Sequence, residues 1–145
     1  MRIILGSDHG GRRLKEEIKS LLHDMKIETE DVGCHSDESC DYPDYALPVA
    51  QKVAAGEFDL GILVCGTGIG MSIAANKVKG IRCAVVSDEF SARMSREHNN
   101  ANVLALGERV IGSDLAKSIV KTWVTTKFAG DRHQRRLQKI SEIEG

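Results

Sequence analysis

The sequence predicts an α/β protein in which helices cover both faces of a parallel sheet. Apolar strand-like segments alternate with amphipathic helix-like segments about five times along the chain, and this order is typical of a parallel sheet between helices. One of the strands, residues 60–64, contains no polar side chain, as expected for a strand buried on both faces. Polar or reactive residues follow four of the five strands, at the sheet edge where such folds bind ligands.

The first half of the chain contains two strands and two helices. A short apolar segment predicts a strand over Arg2–Gly6, and apolar residues at helical spacing predict an amphipathic helix over Arg12–Met25. The segment Ile27–Gly33 is mostly polar, which favours a strand at the edge of the sheet. A polar loop then leads to a helix over Asp44–Ala55, with Pro48 near its start, where a missing N–H costs little.

The second half continues the alternation of strands and helices. The apolar strand Leu60–Val64 leads through a glycine loop to a helix over Met71–Lys77. A glycine ends this helix, and the apolar sequence CAVV predicts the next strand over Arg82–Val86. Helical spacing then covers Asp88–His98, two asparagines end the helix, and Val103–Leu106 is the fifth strand.

Two more helices complete the predicted chain. Apolar residues recur at helical spacing over Gly112–Phe128, Gly130 ends this helix, and Asp131–Ile143 is a last, highly charged helix. The 145 residues contain no linker, repeat or low-complexity segment. We therefore expect a single domain, residues 1–145.

The composition argues against several classes of partner. The net charge is −1, from 20 Lys and Arg against 21 Asp and Glu, and aromatic residues make up 4%, so nothing favours nucleic-acid binding. No apolar run is long enough to span a membrane, and the chain starts directly with a strand, so we expect no signal peptide. Four cysteines without CxxC spacing favour free thiols in a cytoplasmic protein and argue against a thiol-redox function.

The chemistry is organised around the sequence LGILVCGTGIGMSIAANK, residues 60–77. Here a strand ends at Cys65 and a glycine loop leads into a helix. Gly66, Gly68 and Gly70 allow positive φ and a close approach of the backbone to a ligand, and the first N–H groups of a helix bind anions. The positive pole of the helix favours a thiolate at the neighbouring cysteine. The alternative is an ordinary strand-to-helix turn with an unreactive buried thiol.

Known phosphate-binding patterns do not match this loop. A P-loop needs a Gly-Lys pair, which the chain lacks, and the dinucleotide fingerprint GxGxxG belongs after the first strand rather than the third. Asp88, after the next strand, could still imitate the acid that binds a ribose. A phosphatase of the Cys-x5-Arg type would have arginine in place of Met71. A thiol beside an anion cradle suits proton abstraction next to a carbonyl, with Cys65 as the base and Thr67 adding a hydroxyl.

Basic residues outside the loop are candidates for binding a phosphate. Arg132 and Arg136 share one face of the last helix, and Arg109 follows the fifth strand. Arginine binds phosphate through paired N–H donors, although a solvated basic face is the alternative. His9 follows the first strand, and His98 ends a helix, where it either acts as an acid or base or caps the helix.

Five segments, in order, resemble ribose-5-phosphate isomerase of type B: SDHGG, DYPDYA, CGTGIGMSIAANK, SREHNNANVLALGERV and GDRHQRRL. The resemblance covers nearly the whole chain, and the wider family includes galactose-6-phosphate isomerase subunits. It implies a three-layer α/β/α, Rossmann-like fold and reversible isomerisation of ribose 5-phosphate and ribulose 5-phosphate through an enediolate, in the pentose phosphate pathway and without metal or cofactor. It also implies a homodimer with active sites shared between subunits, and it leaves open a dimer of dimers.

The resemblance assigns roles to individual residues. Cys65 resembles the base that moves a proton between C1 and C2, and Thr67 and His98 resemble the residues that assist opening of the furanose ring. Family members without this cysteine place a glutamate base later in the loop, at the position of Met71. Methionine cannot accept a proton, so this difference favours Cys65.

The remaining assignments concern substrate binding. By the same resemblance, Asp8 and Asn99 bind the sugar. The enediolate is held by the amides of Gly66, Gly68, Ile69 and Gly70. The phosphate is bound by His9, Arg109, Arg132 and Arg136. The resemblance places the arginines of the phosphate clamp on the partner subunit.

Three other hypotheses stay open at this point. An isomerase of a six-carbon aldose phosphate, such as allose 6-phosphate or galactose 6-phosphate, would need the same chemistry. A non-catalytic sugar-phosphate sensor would bind ligand without needing a base. A small cluster of Cys34, His35, Cys40 and Asp41 offers metal ligands, but its spacing matches no standard zinc site, and we expect no metal.

Overall fold

The sheet of this protein is parallel throughout. The computed structural model describes residues 1–145. Its strands are β1 (Arg2–Ser7), β2 (Glu28–Asp31), β3 (Leu60–Cys65), β4 (Cys83–Val85) and β5 (Val103–Gly107). They are ordered β2-β1-β3-β5-β4, and every neighbouring pair is parallel. The predicted edge position of the polar strand β2 is confirmed, and β3, the most apolar strand, lies at the centre.

Helices cover both faces of this sheet. They are α1 (Arg12–Asp24), α2 (Pro43–Ala54), α3 (Ile69–Ala75), α4 (Glu89–Glu97), α5 (Ser113–Thr125) and α6 (Arg132–Glu144). Apolar side chains of α1, α4 and α5 pack with alternate strand residues on one face, including the fully buried Trp123. Those of α2 and α3 pack on the other face, to which Cys65 belongs. The predicted three-layer α/β/α fold is therefore confirmed.

Most differences from the predicted elements are shifts of one to three residues at their ends. Two of them have a clear physical cause. Helix α2 begins at Pro43, whose fixed φ suits a first turn, so Pro48 lies inside the helix rather than near its start. Helix α3 begins at Ile69 rather than Met71 and includes Gly70, which was expected in the loop; only Gly68 of the three loop glycines has a positive φ, and it ends the loop.

The last helix, α6, is attached loosely to the rest of its own chain. Only His133 and Leu137 are buried along it, and Ile140 and Ile143 are exposed. Its C-terminal end is tied to the body by the carboxylate of Glu144, which accepts a hydrogen bond from the Gly80 N–H at 2.9 Å. None of the helices combines the length and the apolarity needed to cross a bilayer.

Candidate active site

A cleft of about 450 Å³ opens at the carboxyl edge of the sheet, beside the end of the central strand β3. Ligands bind at this edge in parallel α/β folds because the helix N-termini and the connecting loops converge there. The cleft is lined by Asp8, Tyr42, Cys65, Gly66, Thr67, Ile69, Gly70, Ile73 and Arg109. The fold thus brings together the thiol, the glycine loop, one acid and one arginine of the predicted site.

The sulfur of Cys65 is buried and receives a backbone donor. The N–H of Gly68 donates to Sγ at 3.1 Å, and a donor in this position stabilises negative charge on sulfur. Gly68 has a φ of +80°, and a Cβ there would lie 2.9 Å from the carbonyl carbon of Leu106. The sequence needs glycine here both for the left-handed backbone and for the close packing against β5.

Two backbone N–H groups of the glycine loop donate hydrogen bonds to side chains of the loop itself. The amide of Gly68 is directed at Cys65, and the N–H of Ile69 donates to Oγ1 of Thr67 at 3.2 Å. Two amides of the predicted enediolate cradle therefore already have partners within the loop. The N–H groups of Gly66 and Gly70 remain candidates for holding an oxyanion.

The residues after β5 lock the loop in place and position an arginine. The N–H groups of Glu108 and Arg109 donate to the carbonyls of Cys65 and Gly66 at 2.9 and 3.0 Å. The guanidinium of Arg109 then lies beside Gly66, where Nη1 is 3.2 Å from the position a Cβ would occupy. Arg109 therefore presents its donors directly to the cleft that contains the thiol.

Asp8 and His9 approach the cleft from the end of β1. The carboxylate of Asp8 is buried and accepts the N–H of Gly10 at 2.9 Å, which fixes its orientation. The ring of His9 accepts the N–H of Cys40 at Nδ1, over 3.2 Å. A neutral His9 therefore carries its proton on Nε2, which leaves that nitrogen as a donor for an anionic ligand.

Tyr42 and Ile73 line the cleft and were not identified from the sequence. The ring of Tyr42 lies over Gly70, where a Cβ would come within 2.6 Å of the ring. A glycine in the first turn of α3 was a signal for this contact, because an alanine would give a more stable helix and glycine implies close approach. The DYPDYA segment was recognised, but its first tyrosine was given no role.

His98, Asn99, Arg132 and Arg136 do not line this cleft. His98 caps the C-terminus of α4, which runs back from the carboxyl edge of the sheet to the amino edge. Four residues later, the carbonyl of Asn102 accepts the N–H of Gly61 at the start of β3. One chain therefore carries the predicted site in two parts, one at each edge of the sheet.

The second part has a partner that the sequence analysis missed. The rings of His98 and His133 are stacked, with centroids 4.2 Å apart and an interplanar angle of 14°. Burial and the positive charges of His98, Arg132 and Arg136 lower the pKa of His133. His133 therefore stacks a largely neutral ring against His98. In the sequence, the only signal for this residue was its position between the predicted phosphate-binding residues Arg132 and Arg136.

The structure answers two alternatives that the sequence left open. The carboxylate of Asp88 caps α4 by accepting the N–H of Ser91 at 2.7 Å, a bond that lowers the pKa of Asp88 and gives the side chain a structural role. The predicted cluster around Cys34 and Cys40 is not assembled as a metal site. The ligand atoms that do converge belong to Glu16, Asp31 and His35.

Asp31 in that group is already neutralised by lysines. Burial alone would raise the pKa of Asp31, but hydrogen bonds from Lys15, from the Gly33 N–H and from Lys19 lower it. Lys15 is fully buried and donates to Asp31 at 2.8 Å and to the carbonyl of Cys34 at 2.7 Å. This buried pair ties the loop after β2 to helix α1, and a buried charge without its partner would be strongly destabilising.

Comparison with known proteins gives the family. A sequence model described as Ribose/Galactose Isomerase matches residues 3–140. The chain belongs to this family. Its members are sugar-phosphate isomerases, so the aldose–ketose isomerase class implied by the resemblance of the five sequence segments is confirmed.

Solved structures and curated relatives agree with this assignment. The structure is similar to ribose-5-phosphate isomerase B of Clostridium thermocellum, with a TM-score of 0.98 and 58% identity over 99% of this chain and 97% of that chain. Ribose-5-phosphate isomerase B of Escherichia coli is 52% identical over 99% of this chain and 96% of its own length. That of Mycoplasma genitalium, solved with bound ribulose-5-phosphate, has a TM-score of 0.96 and 43% identity over 99% and 95%.

A relative with another substrate is also similar over its whole length. The galactose-6-phosphate isomerase subunit LacA of Streptococcus mutans is 43% identical over 99% of both chains. Enzymes named for five-carbon sugars and for six-carbon sugars are thus both similar to this chain over its full length. Similarity alone therefore does not identify the substrate.

Proposed function

We propose that this protein interconverts ribose 5-phosphate and ribulose 5-phosphate, with Cys65 as the catalytic base. The observation that carries the proposal is the buried Cys65 sulfur, which accepts a hydrogen bond from the Gly68 N–H and lines a cleft together with Asp8 and Arg109. A base of this kind, next to fixed donors, is what proton abstraction beside a carbonyl requires. Full-length similarity to enzymes named ribose-5-phosphate isomerase B supports the choice of substrate.

The proposed reaction moves one proton between neighbouring carbons. The Cys65 thiolate takes the proton from C2 of the open-chain aldose, and the electron pair of that bond forms the C1–C2 double bond of an enediolate. The same thiol returns the proton to C1, and the hydroxyl proton on O2 moves to O1 as the ketone forms. The amides of Gly66 and Gly70 lie where they can stabilise the negative oxygen, and this proton transfer needs no metal and no cofactor.

The phosphate lies away from the reacting carbons in this proposal. Arg109 and the Nε2–H of His9 approach the cleft from the same chain and would bind the phosphate from one side. Binding energy at the phosphate would align C2 with the sulfur, so these contacts serve turnover as well as affinity.

We further propose a homodimer in which each site is completed by the partner subunit. His98, Asn99, Arg132 and Arg136 lie at the opposite edge of the sheet from Cys65, so a second chain is needed to bring them to the cleft. Their position on the loosely packed helix α6, and after α4, supports this arrangement. His98 and Thr67 would then assist opening of the furanose ring. The four free cysteines fit a reducing compartment such as the cytoplasm.

A six-carbon aldose phosphate is the second candidate substrate, favoured by the similarity to LacA. Measuring kcat/KM for ribose 5-phosphate, allose 6-phosphate and galactose 6-phosphate distinguishes the five-carbon from the six-carbon candidate. All three are measured on one preparation, with Cys65→Ala as the blank. We expect ribose 5-phosphate to have the highest value. A higher kcat/KM for either six-carbon sugar phosphate would mean that this sugar is the preferred substrate. If no substrate exchanged its C2 hydrogen with solvent, isomerisation itself would be rejected.

A further inference from the structure

The five-residue loop from His98 to Asn102, which joins α4 to β5, is held by two arginines. Arg96 donates through Nη1 to the carbonyl of Ala101 at 2.6 Å and to the side-chain oxygen of Asn100 at 3.3 Å. Arg82, which precedes β4, donates through Nε to the carbonyl of Asn100 at 3.0 Å. The two guanidinium groups therefore converge on the same short segment from different elements.

The conformation that these bonds hold is an unusual one. Asn100 has a φ of +46°, in the left-handed region that side chains seldom adopt. The N–H of Ala101 then turns back to the carbonyl of Ser95 at 2.8 Å. Because the turn starts immediately after Asn99, its geometry sets the direction of the His98 and Asn99 side chains.

Neither arginine is explained by an ion pair. Burial lowers the pKa of both Arg82 and Arg96, and repulsion between the two adds to the effect on Arg96. Neither forms a salt bridge with a carboxylate. Instead, Arg96 lies over the ring of Trp123 and directs Nε at the carbonyl of Thr126. The planar fork of guanidinium, rather than its charge alone, is what these contacts use.

Arg96 also connects the loop to the segment between α5 and α6. Arg96 reaches Thr126, which follows α5, and the carbonyl of Glu97 accepts the N–H of Ala129 at 3.0 Å. His98 is stacked on His133 within this frame. Arg96 therefore contacts the loop that follows His98 and the segment that leads from α5 towards His133.

We propose that Arg96, assisted by Arg82, is a positioning residue that sets the His98 side chain in the geometry needed for catalysis. The inference rests on the proposed function, in which His98 assists ring opening. Arg96 itself touches no substrate in this account and acts through His98. A lysine at this position keeps a positive charge but cannot bridge Asn100 and Ala101 while covering Trp123.

A double-mutant cycle tests this coupling. Arg96→Lys, His98→Asn and the double variant are compared with the unmodified protein by kcat/KM for ribose 5-phosphate. We expect Arg96→Lys to lower kcat/KM on the order of tenfold or more, because a small misplacement of a catalytic group has effects of this size. In the His98→Asn background the same change should cost nothing further, since its effect passes through His98.

The controls separate positioning from folding. Arg93→Lys is the matched change on the same helix, at an exposed residue over Phe90, and should leave kcat/KM and the melting temperature unchanged. Arg82→Lys reaches the same loop from β4 and serves as a second variant if Arg96→Lys is poorly folded. Both lysine variants should lower kcat more than they raise KM, because the proposal places the arginines behind a catalytic group and not in contact with the substrate.

Two results would overturn the inference. Full activity of both lysine variants would show that the arginines do not position His98. An equal loss from Arg96→Lys in both backgrounds would show that it acts independently of His98. If His98→Asn itself has full activity, the proposed role of His98 fails as well, so the two failures are distinguishable.

Discussion

The N–H of Gly68 donates to the sulfur of Cys65 at 3.1 Å, across a loop that turns through a left-handed residue. The backbone turn between Cys65 and Gly68 directs this N–H back towards the end of β3, and the positive φ of Gly68 then leads the chain into α3. The donor and the sulfur are therefore fixed by the backbone itself, before any ligand binds. This arrangement places the Cys65 sulfur and its fixed donor at the edge of the sheet where the cleft, Asp8 and Arg109 also converge.

Replacing Gly68 by alanine should impair both stability and activity. The left-handed backbone alone costs a non-glycine residue roughly 1–2 kcal/mol, and a Cβ at Gly68 would also meet β5 at 2.9 Å. Gly56 is the matched control because its φ is +79° and nothing lies within 4 Å of its Cβ position. We expect Gly56→Ala to lose stability and keep kcat/KM. A Gly68→Ala protein as active as Gly56→Ala would contradict the role of this amide.

Replacing Arg136 by alanine should lower kcat as well as raise KM for ribose 5-phosphate. The reason is that phosphate binding energy is used to align the sugar for proton transfer, so its loss appears in turnover. Arg135→Ala is the control, since Arg135 is a neighbouring exposed arginine with no assigned contact. An Arg136→Ala protein with a raised KM and an unchanged kcat would mean that Arg136 contributes to affinity alone.

Mixing two inactive variants should restore activity if sites are shared between subunits. Cys65→Ala and Arg132→Ala chains, dissociated and reassociated together, form mixed dimers with one site that has both residues intact. Random association predicts about a quarter of the unmodified activity. No recovery, with mixed dimers shown to form, would mean that Cys65 and Arg132 act within one chain.

Stability should fall on acidification through His133. Its pKa is lowered from the ordinary value of 6.5 by burial and by His98, Arg132 and Arg136, against an opposing effect of Glu97. The unfolded chain therefore binds more protons than the native state as the pH falls below about 6.5, and stability is lost in that range.

Urea unfolding between about pH 7.5 and pH 5.5 measures this loss, with His133→Phe as the comparison. Phenylalanine keeps a buried ring against His98 but cannot be protonated. The variant should lose less stability than the unmodified protein over the same interval. Equal losses in the two proteins would exclude His133 as the group responsible.

The parts of the site that were predictable from the sequence are those built from neighbouring residues. Cys65, Thr67 and the glycines lie within one strand–loop–helix unit, where residue spacing determines geometry. Arg109 and Asp8 were also predictable as members of the cleft, because parallel strands bring their carboxyl ends to one edge. The order of those strands, with β5 between β3 and β4, has no local signal in the sequence.

The residues that were missed depend on contacts between distant segments. Tyr42 reaches Gly70 across the cleft, and His133 stacks on His98 from a different helix. Neither pair has a spacing that a pattern could reveal. The separation of His98 from Cys65 within one chain likewise follows from the direction of α4, which only the folded topology makes visible.

The most direct test of the account is isomerisation of ribose 5-phosphate in excess EDTA by the unmodified protein and by Cys65→Ala. Cys83→Ala is the control, because burial raises the pKa of the Cys83 thiol to about 12 and it lies outside the cleft. We expect the unmodified protein and Cys83→Ala to turn over, and folded Cys65→Ala to be slower by a factor of about 10²–10⁴, as for loss of a general base. A Cys65→Ala protein that retains full activity would show that Cys65 is not the base.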